Sequence, residues 1–352
     1  MTKFIIFYIA FTFNVSIKAG ERFEFYNGAR QLGMGGASIG VVNDETAVLL
    51  NPAGMGKLRN AFVTLVDPEI HVSGPASQTL LTGGSLSTLN DAQGMADTLG
   101  TTADKSTHFG YQVFPSFVLP NFGIGMLASS FWDGQTDSTG ANVFLRKRSD
   151  VAVVLGYNLT FLDGRLKVGF NGRYVTRTLS EIDTATGGSY DFATNEGTGT
   201  GLAIDSGIIF SAPWASLPSL SVVLRDFGDT NYTISSSGTA VPSTPQTIDA
   251  AISFFPIHSN HVRSSFTFEY RDILNAYDET DLSRRLHSGW ELNLGDLFFI
   301  RAGWHQNSWT AGLEFAMERA QFQISTYAED VGTDGAGSIN DRRYISKFVF
   351  RF

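Results

Sequence analysis

The most reaction-like stretch of this sequence is 32–56, LGMGGASIGVVNDETAVLLNPAGMG. Its glycines suggest a phosphate cradle, and GASIG (36–40) fits the Gly-x-Ser-x-Gly pattern with Ser38 in the nucleophile's place. Both readings fail on context. A dinucleotide fingerprint needs Gly-x-Gly-x-x-Gly after a buried strand and before a helix. Gly33 and Gly35 fit, but position 38 is serine, and the preceding FYNGARQ is no apolar strand. No Gly-Lys-Ser/Thr follows, so a Walker loop fails too. A nucleophile elbow needs a strand before it and a helix after it, and GARQLGM supplies no strand. His287 and His305 are the available bases, but a triad is defined by geometry, not by position. DTATGGSYDF and DVGTDGAGSIND are Asp/Gly-rich. Neither matches a calcium-binding loop, and both read as solvated turns. No catalysis, cofactor or metal is expected.

Bulk properties narrow the partners. Net charge is −9, which argues against nucleic acid, since that needs a basic face. There is no cysteine, so disulfides and thiolate metal sites are excluded. Charged residues make up only 17% of the chain and aromatics 13%, with 29 Phe and 37 Gly among the 352 residues. Residues 1–19 read as a signal peptide. Lys3 gives a positive start, Phe4 to Phe13 is apolar, and Ala19-Gly20 offers a small-residue cleavage site. After it, no apolar run is long enough for a membrane-spanning helix.

Beyond residue 60 the periodicity is two. SSFTFEYR sets Phe266, Phe268 and Tyr270 against Ser265, Thr267, Glu269 and Arg271. LFFIRAGWH and WTAGLEFAM behave the same way. Successive strand side chains point to opposite faces, so this pattern marks a half-apolar sheet. About fourteen such segments occur, most of them long enough to cross a bilayer when tilted. Short turns such as PN, TFLDG, GD and RA alternate with long polar connections at 73–106, 179–198, 228–245 and 274–283. That asymmetry is the signature of an outer-membrane barrel. A short helix is expected within 84–100, where Leu86, Leu89, Met95 and Leu99 recur. Pro68 and Pro115 interrupt two strands, as at a bulge.

The chain ends RRYISKFVFRF. Tyr344, Phe348, Phe350 and Phe352 share one face, and this pattern resembles the signal read by the barrel assembly machinery. In hydrocarbon every backbone polar group needs an internal partner, so the last strand must pair with the first.

If the aromatic face meets lipid, the lumen receives a mixed-sign wall. Arg173, Arg271, Arg285, Arg301 and His305 are its candidate ligand contacts, because a planar guanidinium suits a carboxylate. Structural ion pairing is the competing reading, because charges removed from water are usually paired.

The glycine stretch also resembles the N-terminal hatch of the FadL type of long-chain fatty-acid transporters. The resemblance is carried by GARQLGMGGASIGVVNDETAVLLNPAGM, with Gly33, Gly35, Gly36 and the Asn51-Pro52-Ala53 motif. Asp44 is expected to cap a short helix through Leu50. The resemblance implies an all-β, transmembrane antiparallel β-barrel with a plug: signal peptide 1–19, hatch 20–58, barrel 59–352. It implies the outer membrane of a Gram-negative-type bacterium, with outer-membrane lipids as surroundings. It also implies a hydrophobic small-molecule ligand, a long-chain fatty acid among the options, and lateral release through an early strand such as that of NFGIGMLASS. The same lead is similar to a PorV-like branch, which implies a non-transporting secretion or assembly partner instead.

Overall fold

The computed structural model describes residues 24–235, 238–279, 281–332 and 339–351. The signal-peptide segment and Phe352 lie outside the described residues. Fourteen antiparallel strands close into a barrel. β1 comprises Phe62–Val66 and Glu69–Ser73, and β2 comprises Ser106–Val113 and Ser116–Leu119. Then come β3 (Phe122–Thr136), β4 (Asn142–Phe161), β5 (Leu166–Ala185), β6 (Gly197–Ser211) and β7 (Ser219–Arg225). β8 comprises Thr247–Phe254 and Ile257–Ser259. The rest are β9 (Val262–Tyr270), β10 (Leu286–Leu294), β11 (Phe298–His305), β12 (Ser308–Ala316), β13 (Ala320–Asp330) and β14 (Asn340–Arg351). Closure is by β14 on β1, with Arg343 opposite Ser73, Lys347 opposite Glu69 and Thr64 opposite Arg351.

The alternation sorts side chains as expected. On β4, Val151, Val153, Leu155 and Tyr157 point outward at 49, 50, 52 and 54% exposure, while Asp150, Ala152 and Val154 face inward at 1% or less. On β14, Tyr344, Phe348 and Phe350 are exposed, and Arg343 and Lys347 are buried inside. An apolar belt with no second layer over it among the described residues fits lipid as its solvent.

Strands β3 to β5 run past their expected ends, and 179–185 is strand rather than loop. Polar residues dominate there, although Leu179 is buried on the inner face and Ile182 packs with Trp132 and Leu145 on the outer one. They project beyond the apolar belt, where pairing needs no greasy side. The helix expected in 84–100 is two, Leu86–Leu89 (α4) and Ala92–Leu99 (α5), preceded by α3 at Gly74–Leu81. Ser73 caps α3 through Ala76 N–H, and Asp91 caps α5 through Gly94 N–H. Together these helices form a lobe whose Leu89, Met95 and Leu99 bury against Phe109, Trp132 and Leu145. Register puts Phe109 and Trp132 on the face of Val72, opposite His71. The lobe therefore clasps the outer wall at the long-loop end.

Candidate functional site

Residues 24–58 lie in the lumen. Two helices, Ala29–Gly33 (α1) and Ala47–Leu50 (α2), and a 3-10 turn at Pro52–Lys57 punctuate an otherwise irregular path. α1 lies within FYNGARQLG, which carries no apolar strand. One expectation needs correction here. Asp44 does not cap α2 directly. Its carboxylate accepts the Thr46 N–H at 2.9 Å and an Arg30 N–H at 2.6 Å, one turn before the helix begins.

Such a path leaves backbone groups without regular partners, and buried ones must find them. The wall supplies them. Glu269 accepts the N–H groups of Ser38 and Ile39 at 2.8 and 3.1 Å. Asn171 donates to the Val48 carbonyl at 2.6 Å, and Arg225 to the Leu50 carbonyl at 3.1 Å. The Thr310 hydroxyl donates to Gly33 O at 3.0 Å and accepts from Gly35 N at 2.9 Å.

Glycines make the fit possible. Gly35 and Gly36 have φ of +70° and +82°, the left-handed region that side chains avoid. The wall answers with inward glycines of its own. A Cβ at Gly169 would sit 2.2 Å from the Pro52 carbonyl carbon, and one at Gly303 would sit 2.3 Å from Gly35 N. Gly123 and Gly156 likewise receive Met55. Asn51 staples the motif from within: it donates to Ile39 O at 2.8 Å and accepts from Ala53 N at 3.0 Å, while Pro52 opens the 3-10 turn. Ala53 is fully buried.

The five candidate ligand contacts all face the lumen, but each is held by protein. Arg173 bonds Asp205 and Asp226 at 2.9 and 3.0 Å and stacks on Phe25. Arg271 bonds Glu269, Glu24 and the Gly36 carbonyl. Arg285 donates to the Asp272 carbonyl at 2.6 Å. Arg301 bridges Glu291 and Glu314. His305 bonds Glu329 at 3.0 Å and meets His287 at 3.1 Å. The geometry places them as wall and plug struts, not as free cations. Ser38 Oγ is buried with no hydrogen-bond partner among the described residues.

What is open lies above and below the plug. Above it, toward the long loops, is a chamber of about 150 Å³ lined by Phe25, Leu49, Val175, Ala203 and Tyr232 beside the Arg173 and Arg177 pairs. Below it, toward the short turns, is a vestibule of about 1220 Å³. Sequence reasoning missed both, because each is assembled from loops and strands far apart in the chain. The release point expected at NFGIGMLASS is a correction as well. β3 is unbroken there, and Gly123 and Gly125 face inward against Met55 and Phe114. The strands are instead interrupted at Asp67-Pro68 and Phe114-Pro115, where Asp67 accepts the Phe114 N–H at 2.5 Å.

No family model and no curated protein matches the chain. Three solved structures share its architecture from end to end. They are the P. putida toluene transporter TodX (12% identity, 93% of this chain, 98% of that one, TM-score 0.52), the CymD monoaromatic hydrocarbon channel (10%, 92%, 97%, 0.56) and the Ralstonia pickettii toluene transporter TbuX (11%, 93%, 98%, 0.53). The chain has the barrel fold of these transporters and channels. In this chain the N-terminal segment packs inside the 14-strand wall, and the site to consider is the space on either side of that segment.

Proposed function

We propose that this protein is an outer-membrane channel for small hydrophobic compounds of about the size of one aromatic ring. The carrying observation is the upper chamber. Its volume of about 150 Å³ equals that of an engineered apolar cavity which takes benzene, about 150 Å³. It is smaller than the roughly 300 Å³ at which pockets for drug-sized ligands begin, so a compact ring suits it better than a long acyl chain. Phe25, Leu49 and Val175 give it an apolar side, and the arginines there are neutralised by Asp205, Asp226 and Asp150. A compound would enter between the long loops, rest in the chamber, and pass when the plug shifts. The toluene and monoaromatic channels of the same fold point to the same ligand class.

The test is uptake of labelled toluene by cells lacking the protein, restored by the natural chain or by Ala203→Phe. Ala203 is 2% exposed and lines the chamber, so a phenyl ring there fills it. Restoration by the natural chain but not by Ala203→Phe, with the variant barrel folded, supports the channel. Equal uptake with and without the protein overturns it. One observation favours a scaffold with its long loops as working surface: between the chamber and the vestibule the plug leaves a gap of about 30 Å³ beside Tyr26, Arg30, Val41 and Arg351. The same failed uptake would favour that PorV-like reading.

A further inference from the structure

We propose that His287 and His305 form an acid-sensitive latch between the plug and the wall. This goes beyond the channel reading and does not depend on it, since it concerns what holds residues 35 and 36 in place.

His287 lies at the start of β10 and His305 at the end of β11, and the register sets them directly opposite each other. Side chains opposite one another on one face of adjacent strands interact. Both rings point inward, each residue only 4% exposed, with ring centres 5.0 Å apart. The plug rests on the pair. A Cβ on Gly36 would lie 3.0 Å from His287 Nδ1 and 3.1 Å from His305 Nδ1, so the plug backbone sits against both nitrogens.

A single shared hydrogen orders these atoms. A carboxylate only accepts, so His305 Nε2, 3.0 Å from Glu329, carries a hydrogen. A carbonyl also only accepts, so His287 Nδ1 carries one toward Gly35 O at 2.9 Å. His305 Nδ1, 3.1 Å from His287 Nδ1, is then the lone pair of a neutral ring. It shares the His287 hydrogen with Gly35. Histidine is the side chain that gains charge as pH falls from 8 to 5. A proton taken up at His305 Nδ1 points at His287 Nδ1 and makes that atom the acceptor. The His287 hydrogen must then move to Nε2, and the Gly35 carbonyl loses its donor.

The groups around the pair set the direction. From β13, Glu329 stabilises the added charge on His305, while the Tyr327 ring lies 6.1 Å from the imidazole. Arg343 of β14 acts on Glu329 through space. From β9, Arg271 donates to the Gly36 carbonyl and is bonded to Glu269 and to Glu24 of the plug. A second cation beside Arg271 repels it, and the Gly35-Gly36 turn between them gives way. Acid thus loosens the turn by a lost hydrogen bond and by like charge.

The experiment is hydrogen exchange on the folded barrel in non-ionic detergent, corrected for the intrinsic rate at each pH. Protection within 33–41 should fall about fivefold from pH 7.5 to pH 5.5, the worth of one hydrogen bond. His305→Gln keeps an amide for Glu329 and has nothing to titrate, so its protection should not change with pH. If that variant does not fold, Glu329→Gln, which removes the charge that draws the proton, should move the fall to lower pH. Equal protection at both pH values in the natural chain would overturn the latch. So would a fall shared equally by the wall strands, one that survives His305→Gln in folded protein, or one that Glu329→Gln leaves at the same pH.

Discussion

At the residue scale the molecule is governed by contacts too close for a side chain. Gly169 and Gly303 meet plug backbone, not a flexible side-chain tip, at what would be 2.2 and 2.3 Å from a Cβ. Backbone on both sides cannot yield, so Gly169→Ala and Gly303→Ala should displace the plug, at a cost at or above the ~1–3 kcal/mol of ordinary overpacking. Gly172 is the control, with open space where its Cβ would be. Protease cutting within 24–58 should rise in the first two variants and stay unchanged in Gly172→Ala; equal resistance in all three would refute the interlock. Charge gives a second residue-scale prediction. Lys57 lines the vestibule, and its ammonium, held down at about 7 by burial, Lys167 and Arg30, is positive below that pH and neutral above it. Its folded-state value lies beneath the ordinary lysine range, so the charge is lost as pH rises through 7. Any anion that enters the vestibule should therefore bind more weakly at pH 8 than at pH 6, by no more than about tenfold per unit. Affinity that rises with pH would show that Lys57 does not face that anion.

At the element scale the question is what a strand or helix does once placed. The lobe of α3 to α5 exists because Phe109, Trp132 and Leu145 face outward beyond the lipid belt and need cover. Met95 is 1% exposed in that cluster. Burying an aspartate carboxylate there without a partner costs several kcal/mol, so Met95→Asp should release the lobe and leave the barrel intact. The expected readout is cleavage within 74–99 and red-shifted tryptophan emission with strand content unchanged; loss of the barrel itself would mean that the lobe supports the wall. This lobe also marks how far the elements can be read from sequence. Alternation revealed the wall because lipid on one side and protein on the other enforce a period of two. It failed at 179–185, where polar residues break the alternation and Ile182 is covered by the lobe's cluster rather than by lipid. Four leucine and methionine positions disclosed a helix within 84–100, but not that it is two, nor which face of which strands they cover, since that depends on register. In the plug, Asn51-Pro52-Ala53 was legible as a motif. The wall glycines that receive it were not, because Gly169 and Gly207 acquire meaning only when β5 and β6 lie side by side.

At the scale of the whole molecule the plug and wall are two structures with separate sources of stability. Wall closure rests on backbone pairing and on ion pairs that stay within the wall, such as Arg177 with Asp150 and Arg301 with Glu314. The plug adds an apolar contact, Val48, Leu50 and Met55 against Phe114, Leu127 and Val154, together with the Arg30–Glu291 and Arg351–Glu45 bridges. A chain lacking residues 24–58 should therefore still form a barrel, since none of the closing pairs is lost. It should melt at a lower temperature, because those wall side chains would meet water and Glu291 and Arg271 would each lose a partner. It should also conduct, because the 150 Å³ chamber and the 1220 Å³ vestibule would become one water-filled space. In planar bilayers the intact protein should show small or no steady current and the shortened chain large, stable steps. Equal conductance in the two would mean that water and ions already pass the plug. The reading of residues 24–58 as a barrier between the chamber and the vestibule would then have to be abandoned.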